Sequence, residues 1–371
     1  MHETRLILDA ADRLFTHGEE AVLASVVRVE GSVYRRPGAK LLITAGGETF
    51  GSVSGGCLES DLVRKAWWRT EDGPALVVYD STADEETAWH FGLGCNGIVH
   101  VLLERIARDR PGPLAFVRQC LRNNEAGVIA TAIRADVATG VVPAERLMLD
   151  DHGRLASDLA DDLVAVILPD AKACLDEDRS RTTVYQLAGG EVEVSLEIVR
   201  PPIRLVVFGG GFDVPPVVNA AAALGWSTSV VSRRQIGSCR PEQVLAASPA
   251  AACERLRPDA RTAAVIMNHN YSRDREALAA MLDSEAGYIG VLGPRARTER
   301  MLAEIDRFTD DLSRIHAPTG LDIGAENPEE IAAAILAEVV AVFAGRRGGS
   351  LRDRPGPIHR PEPVSVAEPV R

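Results

Sequence analysis

Between residues 204 and 231 the chain leaves few options for its fold. Arg204-Leu205-Val206-Val207-Phe208 is an apolar run of strand length, followed by Gly209-Gly210-Gly211, an alanine-rich helical stretch over 217–224 ending at Gly225, and a second strand-like run over 227–231. Strand, glycine turn, helix and returning strand make a βαβ unit, whose parallel strands need cover on both faces. The continuation supplies it. Residues 263–267, 273–282, 288–292 and 295–305 alternate between strand and helix patterns, as a doubly wound parallel sheet requires. Asn327-Pro328-Glu329-Glu330 then combines a cap, a proline at the first helical position and a glutamate at the third, and opens a final helix over 331–343. Upstream, Arg200-Pro201-Pro202 extends neither a ladder nor a helix interior and marks a boundary. The expected organisation is therefore an N-terminal α+β region over 1–199, a Rossmann-like domain over 203–345 and a disordered tail over 346–371, rich in Arg, Pro and Gly.

Sheets of this kind bind ligands beyond the carboxyl ends of their strands, and turn glycines admit a phosphate to the following helix N-terminus. Gly209 and Gly211 supply the first two glycines of the dinucleotide fingerprint; Val214 replaces the third, and Pro215-Pro216 follows it. The second strand runs into Ser232-Arg233-Arg234, with no acidic residue for ribose hydroxyls, whereas Arg233 and Arg234 suit an extra phosphate. A nucleotide, NAD(P) included, is thus a candidate ligand, while an NAD dehydrogenase is poorly matched. Asn268-His269-Asn270, Gly293-Pro294-Arg295 and the stretch 316–322 fall on the same rim, with His269 a candidate acid or nucleophile.

The N-terminal half carries a different signal. Gly51-Ser52-Val53-Ser54-Gly55-Gly56-Cys57-Leu58-Glu59 is a glycine-serine loop running into a helical pattern, with Leu58, Leu62 and Ala66 on one face. Ser54, Gly55 and Gly56 are read as an anion-holding loop at a helix N-terminus, and Cys57 as a first-turn residue whose thiol has a pKa lowered from about 8.5. The plainer alternative is a tight turn with a small buried cysteine. Phe91-Gly92-Leu93-Gly94-Cys95-Asn96-Gly97 repeats the arrangement ahead of a strand-like run over 98–104, so Gly94 and Cys95 join the candidates and Cys57 and Cys95 become a soft ligand pair. Arg35, Arg36 and Lys40, on a basic turn upstream, face that anion or are simply solvated. Around these motifs the pattern predicts a helix over 5–15 and strands over 21–29, 40–44, 49–53 and 75–79. A further mixed stretch has helices near 114–121 and 159–167 and strands over 127–133, 141–149, 183–187 and 192–199.

The two cysteine loops, with Glu30-Gly31-Ser32-Val33-Tyr34-Arg35-Arg36-Pro37-Gly38-Ala39-Lys40 ahead of them, resemble the xanthine dehydrogenase accessory factor (XdhC/CoxI) family. In the C-terminal half, Tyr288-Ile289-Gly290-Val291-Leu292-Gly293 and His316-Ala317-Pro318-Thr319-Gly320-Leu321-Asp322-Ile323-Gly324 resemble its Rossmann-domain signature. The likeness implies a protein that binds molybdenum cofactor (molybdopterin), supports its sulfuration with a cysteine desulfurase and passes it to a xanthine dehydrogenase-type molybdoenzyme. Phe212, Ser232 and Asn96 depart from the family pattern of His, Asp and Gly. A cofactor-loading chaperone is expected rather than an enzyme; the rival is an NAD(P)-dependent oxidoreductase using the Gly209–Gly211 turn, with Cys95 or His269 as acid or nucleophile.

Charge narrows the partners. A formal charge of -12 disfavours nucleic acid and anionic membrane surfaces. The acidic opening residues and the lack of any 18-residue apolar run predict a cytoplasmic protein without a membrane span, and a homodimer is the expected assembly. Six scattered cysteines with no Cys-x-x-Cys pair fit reduced thiols.

Overall fold

A computed structural model describes residues 2–81, 97–305, 312–355, 358 and 364–367. The chain divides into two compact units, Glu3–Pro201 with Pro355–Arg371, and Pro202–Arg354.

The N-terminal unit holds α1 (His2–Thr16), β1 (Ala21–Gly31), β2 (Lys40–Thr44), β3 (Thr49–Gly51), α2 (Glu59–Arg69), β4 (Ala75–Asp80) and β5 (Gly97–Ile106). Its first sheet is antiparallel, in the order β3-β2-β1-β5-β4. β1 is buried on both faces because its alternate residues serve two cores. Val22, Ala24 and Val26 pack with Leu58, Leu62 and Ala66 beside α2, whereas Ala21 and Leu23 pack with Ile7, Ala11 and Phe116.

The same unit continues with α3 (Leu114–Asn123), β6 (Gly127–Ala135), β7 (Arg146–Asp150), β8 (Leu155–Ser157), α4 (Asp161–Asp176), β9 (Arg181–Leu187) and β10 (Gly190–Val199). These strands form a second sheet in the order β9-β10-β6-β7-β8. Val192, Val194, Leu196 and Ile198 bury against Leu163, Ile167, Ala171 and Cys174 of α4, a period of two meeting a helical stripe. Each such aliphatic side chain contributes roughly 1.5–3 kcal/mol. Among the described residues, three ion pairs join the two sheets: Arg146–Glu104 at 2.9 Å, Lys40–Glu197 at 2.5 Å and Arg28–Glu193 at 2.5 Å.

The strand expected over 141–149 is confined to Arg146–Asp150, and two further expectations change. Helix α4 runs past residue 167 and through Pro169, because Ala171 and Cys174 continue the buried stripe and packing outweighs the roughly 3 kcal/mol proline cost. The tail, expected to be without structure from residue 346, contributes a short strand, Val364–Val366, that pairs in parallel with β9.

The C-terminal unit holds β11 (Arg204–Phe208), α5 (Val214–Ala223), β12 (Ser227–Val231), β13 (Gln243–Leu245), α6 (Pro249–Leu256), β14 (Thr262–Ile266), α7 (Tyr271–Leu282), β15 (Tyr288–Val291), α8 (Arg295–Glu304), β16 (Ile315–His316) and α9 (Pro328–Phe343); the expected alternation is present, and β13, α6 and β16 add to it. All its strands are parallel, in the order β13-β12-β11-β14-β15-β16. Leu205 and Val207 pack toward α5 and α9, and Val206 and Phe208 toward α6, α7 and α8, so the central strand is covered on both faces. Among the described residues, no helix is long and apolar enough to cross a membrane.

Candidate ligand site

The order β12-β11-β14 places the chain reversal of the doubly wound sheet at β11, and a cleft of about 530 Å³ opens at the carboxyl ends of these three strands. Gly210, Gly211 and Phe212 follow β11, Ser232, Arg233 and Arg234 follow β12, and Asn268, His269 and Asn270 follow β14. The glycine turn is fixed by close approach. A Cβ would lie 2.6 Å from the Met267 carbonyl at Gly209, 2.4 Å from Ser232 Oγ at Gly210 and 2.5 Å from Asp213 Oδ1 at Gly211. Val214, where the fingerprint has its third glycine, is fully buried in the core beside α5.

The helix end itself is a poor anion donor. Val214 N bonds to the Gly211 carbonyl, and Pro215 and Pro216 carry no N–H. The N-termini of α6 and α7 are partly engaged as well, by Ser248 accepting from Ala251 N and Asn270 accepting from Arg273 N. Cationic side chains supply what the α5 terminus lacks. Arg233, Arg234 and Arg273 line the cleft, and none of their guanidinium groups makes an ion pair among the described residues. The hydroxyl of Ser232 is turned back onto Arg234, accepting from its N–H at 3.0 Å, so no carboxylate or free hydroxyl ends β12 for a ribose diol. Phe212, on the glycine turn, is 82% exposed.

His269 is the sequence-predicted rim residue that proves most constrained. Its backbone is left-handed, with φ +54°, and its Nε2 lies 2.6 Å from Oδ2 of Asp213, the residue that precedes α5. The Asp213 side chain is only 8% exposed, and its other oxygen has no partner among the described residues. Sequence reasoning missed Asp213, since the pair is 56 residues apart and no local spacing announces it.

The cysteine loop in the other unit departs from expectation. Glu59, the first residue of α2, folds back into the loop: its Oε1 accepts from Ser52 Oγ at 2.8 Å, Val53 N at 3.1 Å and Ser54 N at 2.8 Å, while Oε2 accepts from Ser54 Oγ. Burial works to raise this carboxyl's pKa, but the hydrogen bonds from Ser54 and Ser52 outweigh it and hold it below the ordinary value. The anion in this loop is the chain's own, and Ser54 is committed to it. Ser54 Oγ also accepts from Gly56 N and Leu58 N, at 3.1 and 3.0 Å. Cys57 is half-buried and precedes the cap residue Leu58, so it sits just outside the helix rather than in its first turn. Gly56, at φ +110°, makes the turn, and a Cβ at Gly55 would lie 3.7 Å from the Tyr34 ring. Gly94 and Cys95 fall outside the described residues.

Two members of the basic turn are engaged elsewhere. The Lys40 ammonium, 6% exposed, bonds Glu197 at 2.5 and 2.7 Å, and Arg35 bonds Glu3 at 2.6 and 2.5 Å. Both serve as structural ties, which is neither the anion contact nor the plain solvation left open for them.

These features define a class: a two-unit α/β protein with a Rossmann-type C-terminal unit carrying a cationic rim cleft. The XdhC Rossmann domain model matches residues 205–339, and the XdhC and CoxI family model matches residues 14–80. The chain belongs to the XdhC and CoxI family. It is 32% identical to a probable xanthine dehydrogenase subunit of Bacillus subtilis (strain 168), over 89% of this chain and 95% of that protein. It is 24% identical to the molybdenum cofactor insertion chaperone PaoD of Escherichia coli (strain K12), over 91% and 88% of the two chains. A crystal structure of a xanthine dehydrogenase from Bacillus halodurans superposes with a TM-score of 0.74 at 29% identity, covering 93% of this chain and 98% of that one.

Proposed function

We propose that this protein binds molybdenum cofactor as cargo, supports its sulfuration and delivers it to a xanthine dehydrogenase-type molybdenum hydroxylase. The observation that carries the reading is the cationic cleft of Arg233, Arg234 and Arg273, set in a chain similar over nearly its whole length to a molybdenum cofactor insertion chaperone. Molybdopterin as cargo brings a phosphate, a planar pterin and a soft metal–sulfur centre. The cleft residues fit the first two. Arginine side chains suit phosphate oxygens as paired donors, and the exposed Phe212 ring offers a face for a planar heterocycle. Separately from the cleft, Cys57, half-buried in the N-terminal unit, is the thiol proposed for sulfur transfer, with a cysteine desulfurase as the partner that supplies sulfur.

The reading is tested by loading. Wild type produced with a molybdopterin source is expected to carry bound pterin, measured by fluorescence after oxidation. Arg233→Ala with Arg273→Ala removes charge-assisted contacts of about 1.5–3 kcal/mol each and lowers retention at least tenfold, and Cys57→Ala carries much less cargo. Equal loading of wild type and both variants contradicts the assignment.

A further inference from the structure

We propose that Asp213 and His269 form a general-base dyad with which the cleft hydrolyses phosphoanhydride bonds of nucleotide-sized ligands. The inference rests on the reading that the cleft holds phosphate, and adds an activity to it. A carboxylate only accepts, so the 2.6 Å contact requires Nε2 of His269 to carry the proton, which leaves Nδ1 as the basic nitrogen of the neutral ring. Nδ1 has no partner among the described residues, and the half-exposed ring lines the cleft with Arg233, Arg234 and Arg273.

A purely structural tie does not explain the pair well. Asp213 is buried with Oδ1 unpartnered among the described residues, and His269 is held in a left-handed backbone, uncommon for any residue but Gly although His, Asn and Asp adopt it more often than most. Both features cost free energy, and such costs concentrate where a side chain is held for use. The buried carboxylate orients the imidazole and stabilises it when protonated, a positioning role, while His269 is the group that meets the reacting atoms.

In the step, a water oxygen forms a bond to phosphorus as its proton passes to Nδ1 of His269. The bridging P–O bond breaks as the phosphate departs as an anion held by the arginines, and Nδ1 then returns its proton to solvent. The arginines hold the non-bridging oxygens as charge builds on them. Water is the only co-reactant, and no electron is transferred.

The test uses the full chain with ADP and ADP-ribose as probes, with AMP release followed by ion-exchange chromatography. Wild type is expected to release AMP. Asn accepts the left-handed backbone, so His269→Asn keeps the loop and is expected to lower kcat at least about 100-fold, the contribution of one proton-transfer group. Asp213→Asn is expected to lower kcat with KM nearly unchanged, whereas Arg273→Ala raises KM. No AMP release by wild type, or release by His269→Asn at the wild-type rate, overturns the proposal. Molybdopterin loading of His269→Asn is measured alongside: loading retained without hydrolysis in wild type sinks the dyad alone, and hydrolysis without loading in wild type sinks the cargo reading alone.

Discussion

Replacing Glu59 by Ala removes the acceptor of four hydrogen bonds that shape the cysteine loop. Two of the donors are hydroxyls of Ser52 and Ser54, which can rotate to water. The other two are the N–H groups of Val53 and Ser54, which cannot. Bonds to a charged acceptor are worth about 1.5–3 kcal/mol each, and partial hydration of this half-buried site reduces the loss, so the local cost is about 2–4 kcal/mol. At a factor of ten for each 1.4 kcal/mol, the loop opens roughly 30- to 700-fold more often. Hydrogen exchange at Val53 and Ser54 reads this directly, and faster alkylation of Cys57 should accompany it. The sign with pH follows from the lowered carboxyl. A group depressed in the folded state stabilises above its unfolded pKa of about 4.3 and loses that contribution as pH falls through the lower folded value. Wild-type protection should therefore fall in acid below about pH 4, and Glu59→Gln should show little such dependence. Unchanged exchange in Glu59→Ala would refute the claim that the loop is organised around its own carboxylate.

Arg146→Ala strands Glu104, both side chains being at most 8% exposed, and is expected to cost about 3–5 kcal/mol in urea unfolding; the double change Arg146→Met with Glu104→Gln should recover most of it. Burial pushes the Cys120 thiol up to about 12 and the Cys174 thiol up to about 11, so peptide mapping after alkylation of the native protein near pH 8 should find Cys57 modified and these two intact. Gly51→Ala places a Cβ 2.3 Å from the Lys40 carbonyl at φ +89° and should destabilise by more than about 2 kcal/mol, lowering the melting temperature by about 4–8 °C.

Features encoded within a few residues are readable without the structure. Asn327 caps α9 with its side chain accepting from Glu330 N at 2.9 Å, as the Asn-Pro-Glu-Glu spacing implies, and the alternation over 191–198 becomes the buried face of β10. The strand–helix alternation of the Rossmann half follows from strand and helix periods, whereas the spatial order of its strands comes from the fold. What escapes are pairings made by the fold across long separations: Lys40 with Glu197, Arg146 with Glu104, and Asp213 with His269. A lysine on a glycine-rich turn carries the same local signal whether it meets a ligand or a buried glutamate. Glu59 is the instructive middle case. Only five residues from Ser54, it reads in the sequence as an ordinary helix residue, because its return into the loop depends on the turn at Gly56.

Transfer is the most direct test of the central claim. Purified protein loaded with molybdopterin is mixed with an apo form of a xanthine dehydrogenase-type enzyme, the two are separated, and pterin in each fraction is measured against enzyme activity gained. Pterin is expected to move to the enzyme with a matching rise in activity, and far less should move from the Arg233→Ala, Arg273→Ala variant, which starts nearly empty. Pterin that stays with the loaded protein, or activation equal to that from free cofactor alone, would contradict a delivery role.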